Sequence, residues 1–140
     1  MFKLIVKKLD SNAKLPGAAH DGDLGCDLFA LNDTVIPPGD QTGIHTGIAL
    51  QFPDGWGGII KDRSSMAAKR IYTSAGVIDA GYRGEIIVLL RNDNSTEYII
   101  KSGDKIAQIV PIKSIECVVE EAEELSTTAR SDGGFGSTGS

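Results

Sequence analysis

Five polar, glycine-containing segments of the chain carry side chains suited to chemistry. VIDAGYRGE (77–85) sets Asp79 beside apolar neighbours and a glycine turn, with Tyr82 three residues later on the same turn. A carboxylate held there can orient water, and the flat phenol beside it suits a ligand that contains a ring. A turn-forming aspartate with a packing tyrosine would give the same pattern. KDRSSMAAKR (61–70) places Arg63 directly before Ser64 and Ser65. A guanidinium followed by two hydroxyls at a helix start makes an anion cradle, unless the serines simply cap that helix. In DLGCDLFA (23–30), Leu24 and Leu28 are expected to be buried around the carboxylate of Asp27, which also suits a turn or a cap. Gln108 lies inside the apolar run KIAQIV (105–110), so its amide must face solvent or satisfy a partner. The end of the chain carries Arg130, Phe135, Ser137 and Thr138. One cation, one ring and two hydroxyls are equipped to close over a bound nucleotide; a plain linker is the other reading.

The elements that must position these residues are short and β-like. Phe2 to Leu9 is apolar with interleaved lysines, and Ile44, Ile48, Leu50 and Phe52 keep one parity through QTGIHTGIALQF (41–52). That period of two marks a half-buried strand. EIIVLLR (85–91) reads as a continuous, fully buried run, and residues 97–101 and 105–112 add two more strands. PPGD (37–40), FPDGWGG (52–58), DAGYRG (79–84), NDNS (92–95) and KSGD (101–104) separate them with turn-forming residues. Many short strands at close spacing predict an all-β barrel or sandwich. The one internal helix expected is Ser64 to Arg70, about two turns, with a serine hydroxyl as its cap. After the acidic stretch VVEEAEEL (118–125), residues 126–140 are nearly free of aliphatic side chains. A β domain over 1–125 and a mobile tail over 126–140 follow from that change.

Composition narrows the function. A chain of 140 residues fits one domain. Its 17 glycines are about one residue in eight, above the usual share of roughly 7%, and without a period they point to tight turns. A formal net charge of −5 argues against a general nucleic-acid binder, which needs a basic face. No apolar run is long enough to cross a bilayer, and MFKLIVKKLD lacks the long apolar stretch of a secretory signal. Cys26 and Cys117 form no disulfide framework, so reduced thiols and a cytoplasmic setting are expected. GFGSTG (134–139) matches a dinucleotide motif only formally, because no helix can follow it. DGDLGCD (21–27) lacks the glycine and distal glutamate of a calcium loop, and His20 and His45 stand too far from other ligands for zinc.

Taken together and in this order, the five segments resemble the motifs of the trimeric dUTPases (dUTP pyrophosphatases). VIDAGYRGE with RSS upstream and a terminal GGFGSTG is the specific part of the likeness, which covers essentially the whole chain. The resemblance implies a distorted antiparallel jelly-roll barrel, assembled as a homotrimer with shared active sites. It implies Mg²⁺-assisted hydrolysis of dUTP to dUMP and pyrophosphate, which keeps uracil out of DNA and supplies dUMP for thymidylate synthesis. Asp79 would be the general base, and Tyr82 would stack on the deoxyribose and exclude a 2′-hydroxyl. The backbone of Gly76, Val77 and Ile78, with the strand near Ile87, would read the uracil edge. Arg63, Ser64, Ser65 and Gln108 would hold phosphates, while Asp27 would hold Mg²⁺ through water. Phe135 would stack on uracil, and Arg130, Ser137 and Thr138 would clasp the phosphate chain. The sequence departs from the family pattern at Cys26, often tyrosine there, and at Ser65, often glycine. Asp62 is an unusual negative neighbour for a phosphate site, and Thr73 stands where several bacterial relatives use an asparagine near the base. Two alternatives are a dCTP deaminase-related enzyme of the same fold and a non-catalytic nucleotide-binding regulator. The deaminase would need a glutamate near Leu89 and an arginine near Ala68.

Overall fold

A computed structural model describes residues 1–136. In chain order the elements are β1 (Ile5–Lys8), β2 (Cys26–Phe29), β3 (Thr34–Ile36), β4 (Gln41–Gln51), β5 (Trp56–Lys61), α1 (Ser64–Ala67), β6 (Ile71–Ser74), β7 (Val77–Ile78), β8 (Glu85–Asn92), β9 (Tyr98–Ile100) and β10 (Lys105–Lys113). Two four-stranded sheets run in the orders β1-β4-β8-β6 and β2-β10-β5-β7, and β3 pairs with β9 in a two-stranded ribbon. Every pairing is antiparallel, as expected of an all-β fold with one short helix.

Mostly β-branched residues fill the space between the sheets. Ile44, Ile48, Ile71, Ile86 and Val88 come from the first sheet, and Leu28, Ile60, Ile106 and Ile109 from the second; all are buried in one cluster. Branched side chains suit a pleated, packed surface, which is why these runs become strands. The two buried polar residues among those described are both satisfied. The Thr46 hydroxyl donates to the Ile86 carbonyl, and the Asn92 amide donates to the carbonyls of Ile36, Pro37 and Thr96.

Three details differ from the sequence reading. The run 85–91 is not buried throughout: Ile86, Val88 and Leu90 face the core, while Glu85, Ile87 and Leu89 alternate outward. Its sheet covers the core with one face only, so the other face carries apolar residues to the surface. The expected two-turn helix is the single turn Ser64–Ala67, and the chain then turns out through Arg70 in the left-handed region, φ +60°. Its N-cap is Arg63, with no side-chain capping bond, so the serine hydroxyls are not spent on the helix. Leu24 is 83% exposed rather than buried, whereas Leu28 is fully enclosed.

β4 carries a bulge opposite the start of β8. Pairing passes from His45↔Ile87 to Ala49↔Glu85 with a shift of register, and Gly47 adopts φ +68° within it. Among the described residues, regular structure ends at Lys113, where the Ser114 amide donates to the Gly55 carbonyl at 2.7 Å. No helix among the described residues is long and apolar enough to cross a membrane.

Candidate active site

Three neighbouring strands place the first group of site residues. Asp27 on β2 pairs with Gln108 on β10, and Gln108 pairs in turn with Lys61 at the end of β5, two residues before Arg63. Asp27, Gln108 and Arg63 therefore meet at one end of the second sheet. They line a cavity of about 390 Å³ with Ser64, Ser65, Gly25, Leu24, Asp23 and Ala19. Arg63 Nε donates to Asp27 Oδ1 at 3.0 Å, and Lys105 Nζ meets Asp27 Oδ2 at 2.7 Å. The Asp27 side chain is only 13% exposed, so both ion pairs are partly withdrawn from water and hold the guanidinium in place. Gln108 Nε2 donates to the Asp62 carbonyl at 2.9 Å, which satisfies the amide that sequence left open. A Cβ at Gly25 would collide with Gln108 Oε1 and push that amide aside, so this loop runs close against the Gln108 side chain. The single helical turn has little macrodipole, and the cradle rests on the guanidinium and hydroxyls.

The second group sits where β5, β7 and β8 meet. Ile78 pairs with Gly58 and Val77 with Ile59, while Gly76, at φ +100°, gives its carbonyl to the Ile60 amide at 2.8 Å. A Cβ at Gly57 would lie 2.7 Å from the Ile78 carbonyl oxygen, so β7 can come this close only over glycine. Beyond β7, the Tyr82 amide donates to the Asp79 carbonyl at 3.1 Å and closes the turn. Arg83 tightens it by donating to the carbonyls of Ala80, at 2.8 Å, and Tyr82, at 3.0 Å. The Tyr82 hydroxyl donates to the Glu85 carbonyl at 3.0 Å. Val77, Ile78, Asp79, Tyr82, Glu85 and Ile87 line a pocket of about 170 Å³. Asp79 is exposed there, and its carboxylate accepts no hydrogen bond from any described residue.

Glu85 was not singled out from sequence. Its Oε1 accepts the Gly47 amide at 2.9 Å, and its Oε2 meets His45 Nδ1 at 3.0 Å, so one carboxylate closes the β4 bulge. Burial works to raise its pKa, but hydrogen bonds from His45 and from the Gly47 and Thr46 amides outweigh that and hold it below the ordinary value. Beside Asp27, the Cys26 thiol is pushed up, first by burial and then by the neighbouring carboxylate, which leaves it a poor nucleophile.

The remaining site candidates stand apart. The cavity around Arg63 and the pocket around Asp79 have no lining residue in common. Arg130 Nε donates to the Gly133 carbonyl at 3.0 Å, within its own loop, and Phe135 is exposed with φ +49°. Ser137 and Thr138 lie outside the described residues. Leu89 and Ala68 supply neither an acid nor a cation where a deaminase would need them.

An antiparallel β fold with a cationic, hydroxyl-lined cradle in one place and a carboxylate beside a tyrosine in another has the parts of a nucleotide-hydrolysing protein. The dUTPase family model matches residues 11–139, and the chain belongs to that family. It is 47% identical over 142 residues to the deoxyuridine 5′-triphosphate nucleotidohydrolase of Hydrogenobaculum sp. (strain Y04AAS1), covering 99% of both chains. Among solved structures it resembles the dUTPase of Staphylococcus bacteriophage 80alpha with dUpNHpp, at TM-score 0.91 and 29% identity over 99% of each chain. It also resembles a variant dUTPase of phage phi11 of S. aureus, described with a structural Mg(II) ion, at TM-score 0.82 and 26% identity. That likeness covers 89% of this chain and 99% of the phage chain.

Proposed function

We propose that the protein hydrolyses dUTP to dUMP and pyrophosphate by attack of water on the α-phosphorus. The observation that carries this reading is the exposed, unengaged carboxylate of Asp79 at the rim of the pocket that Tyr82 shares. In this reading Asp79 orients the water and takes its proton. Tyr82 packs against the deoxyribose, its ring held by the bond from its hydroxyl to the Glu85 carbonyl. The free edge of β7, from Gly76 to Ile78, offers main-chain donors and acceptors to uracil, with Ile87 beside it. A site that hydrogen-bonds one exchangeable edge can reject the other pyrimidine by about 10⁴-fold. Arg63, Ser64, Ser65 and Gln108 hold the phosphates. Placement and charge stabilisation supply most of the rate in such a transfer.

The residues fit Mg²⁺ as a partner of the substrate rather than as a caged ion. No group of three or more His, Cys, Asp or Glu side chains that could hold a metal exists among the described residues, and both oxygens of Asp27 are engaged by cations. A metal carried chiefly by phosphate oxygens and water needs only a contact such as Asp27 through water. When bound, Mg²⁺ supplies neutralisation of the triphosphate charge and polarisation of its oxygens.

The separation of cradle and pocket supports a homotrimer in which one chain's Asp79 faces another chain's Arg63. Residues 126–140 would then close over the ligand with Phe135 on the base and Arg130, Ser137 and Thr138 on the phosphates. The deciding experiment measures pyrophosphate release from dUTP, dCTP, dTTP and UTP with Mg²⁺ present. Turnover of dUTP alone is expected. Equal rates across the panel, or ammonia release from dCTP, would overturn the assignment.

A further inference from the structure

Asp62 stands immediately before the arginine of the phosphate cradle, where a negative charge opposes an anionic ligand. The structure turns that charge elsewhere. Its Oδ1 accepts both the amide and the hydroxyl of Thr73, each at 2.6 Å, and its carbonyl accepts Gln108 Nε2 at 2.9 Å. The half-buried side chain is absent from the lining of the 390 Å³ cavity.

The two Thr73 contacts join elements that no strand ladder joins. Asp62 follows β5, which shares a sheet with β10, whereas Thr73 lies on β6, at the edge of the other sheet. Four residues after Thr73 the chain has crossed between sheets, passing through Ala75 at φ +55° and Gly76 at φ +100° to enter β7. One end of this crossing is held by the Ile60 amide on the Gly76 carbonyl. The Asp62 carboxylate holds the other end. The same residue aims Gln108 at the cradle through its main chain and fixes the approach to the Asp79 pocket through its side chain.

We infer that Asp62 is a positioning residue, a clamp that sets the spacing between the phosphate cradle and the base-facing β7 edge of the same chain. The inference rests on the proposed dUTP reading and identifies a group that acts through Gln108 and Thr73 without touching substrate. A clamp made of hydrogen bonds to a carboxylate predicts that an acceptor oxygen matters more than the charge, because one oxygen serves both Thr73 donors.

The test uses the full chain as wild type, Asp62→Ala, Asp62→Asn and Thr73→Val. Inorganic tripolyphosphate probes the cradle, dUMP probes the pocket, and dUTP turnover gives KM and kcat. Asp62→Ala should weaken both probes and raise KM by about three- to tenfold, with a smaller change in kcat. Asp62→Asn should restore binding to within about twofold of wild type. Thr73→Val, which keeps the carboxylate, should weaken dUMP by a few fold and leave tripolyphosphate unchanged. Asp33→Ala, which removes the carboxylate that holds Ser102 and Lys101 far along the chain, should lower stability without moving KM. Unchanged probe affinities in Asp62→Ala, or equal losses in Asp62→Asn, would overturn the clamp. If Asp62→Ala does not fold, an unchanged dUMP affinity in Thr73→Val overturns it. Wild type that turns over no dUTP sinks the functional reading and the clamp with it, whereas active wild type beside an unaffected Asp62→Ala sinks the clamp alone.

Discussion

Single residues divide into those whose role is local in the chain and those whose role is made by folding. Asp79 and Tyr82 could be placed side by side from sequence because one turn holds both. Glu85 could not, since its partners His45 and Gly47 are 40 and 38 residues away. The bulge that turns the Gly47 amide toward it has no signature beyond one glycine in a strand. The three-way grip on Glu85 has a measurable consequence. Its carboxyl is held below the ordinary value, so its ionised form contributes stability above the unfolded-state pKa and loses that contribution as pH falls through the folded one. The difference in urea midpoint between wild type and Glu85→Gln should therefore be full near neutrality and shrink steadily below about pH 4.5. A difference that stays constant from pH 7 to pH 3 would show that the charge on Glu85 is not what the bulge holds.

Elements were legible where hydrophobic period and turn chemistry agreed. β4, β9 and β10 fall within a residue or two of the expected runs. The run at 85–91 misled because its outward positions are apolar as well as its inward ones, so composition hid the alternation. The helix at 64–70 was overestimated because local propensity cannot see the turn at Arg70 that brings the chain to β6. The close approach of β5 and β7 was equally invisible, since the glycine pair at 57–58 reads as a loop signal. In the fold Gly57 instead lies inside β5 under the Ile78 carbonyl, where an added Cβ would meet a backbone atom at 2.7 Å. Gly57→Ala must displace the β7 edge or strain β5. The expected outcome is a loss of about 1–3 kcal/mol in stability together with a severalfold rise in KM for dUTP. Wild-type KM in a destabilised Gly57→Ala would mean that this edge does not read the base.

At the scale of the molecule, a net charge of −5 is compatible with a polyanionic substrate because the charges are sorted by place. Arg63 and Lys105 converge on Asp27 beside the cavity, while the acidic run at 118–125 lies beyond the last strand. That sorting leaves each chain with a cradle whose Asp27 carboxylate is already engaged by Arg63 and Lys105, and a pocket whose lining holds Asp79 but no Arg or Lys. If the two halves come from different subunits of a closed homotrimer, inactive chains should rescue one another. Asp79→Asn removes the base and Arg63→Ala removes the phosphate anchor, so either variant alone should lose at least about a hundredfold in kcat. In trimers formed by unfolding and refolding the two variants together in equal amounts, a working site needs its pocket from an Arg63→Ala chain and its cradle from an Asp79→Asn chain. Independent assortment gives that pairing at about one site in four, so about a quarter of wild-type activity should return. A site built within one chain would recover nothing in the same mixture, because every subunit would carry one of the two lesions. Sedimentation of the refolded mixture separates the remaining case: recovery should be confined to the trimer fraction, and activity in a monomer fraction would exclude the shared site.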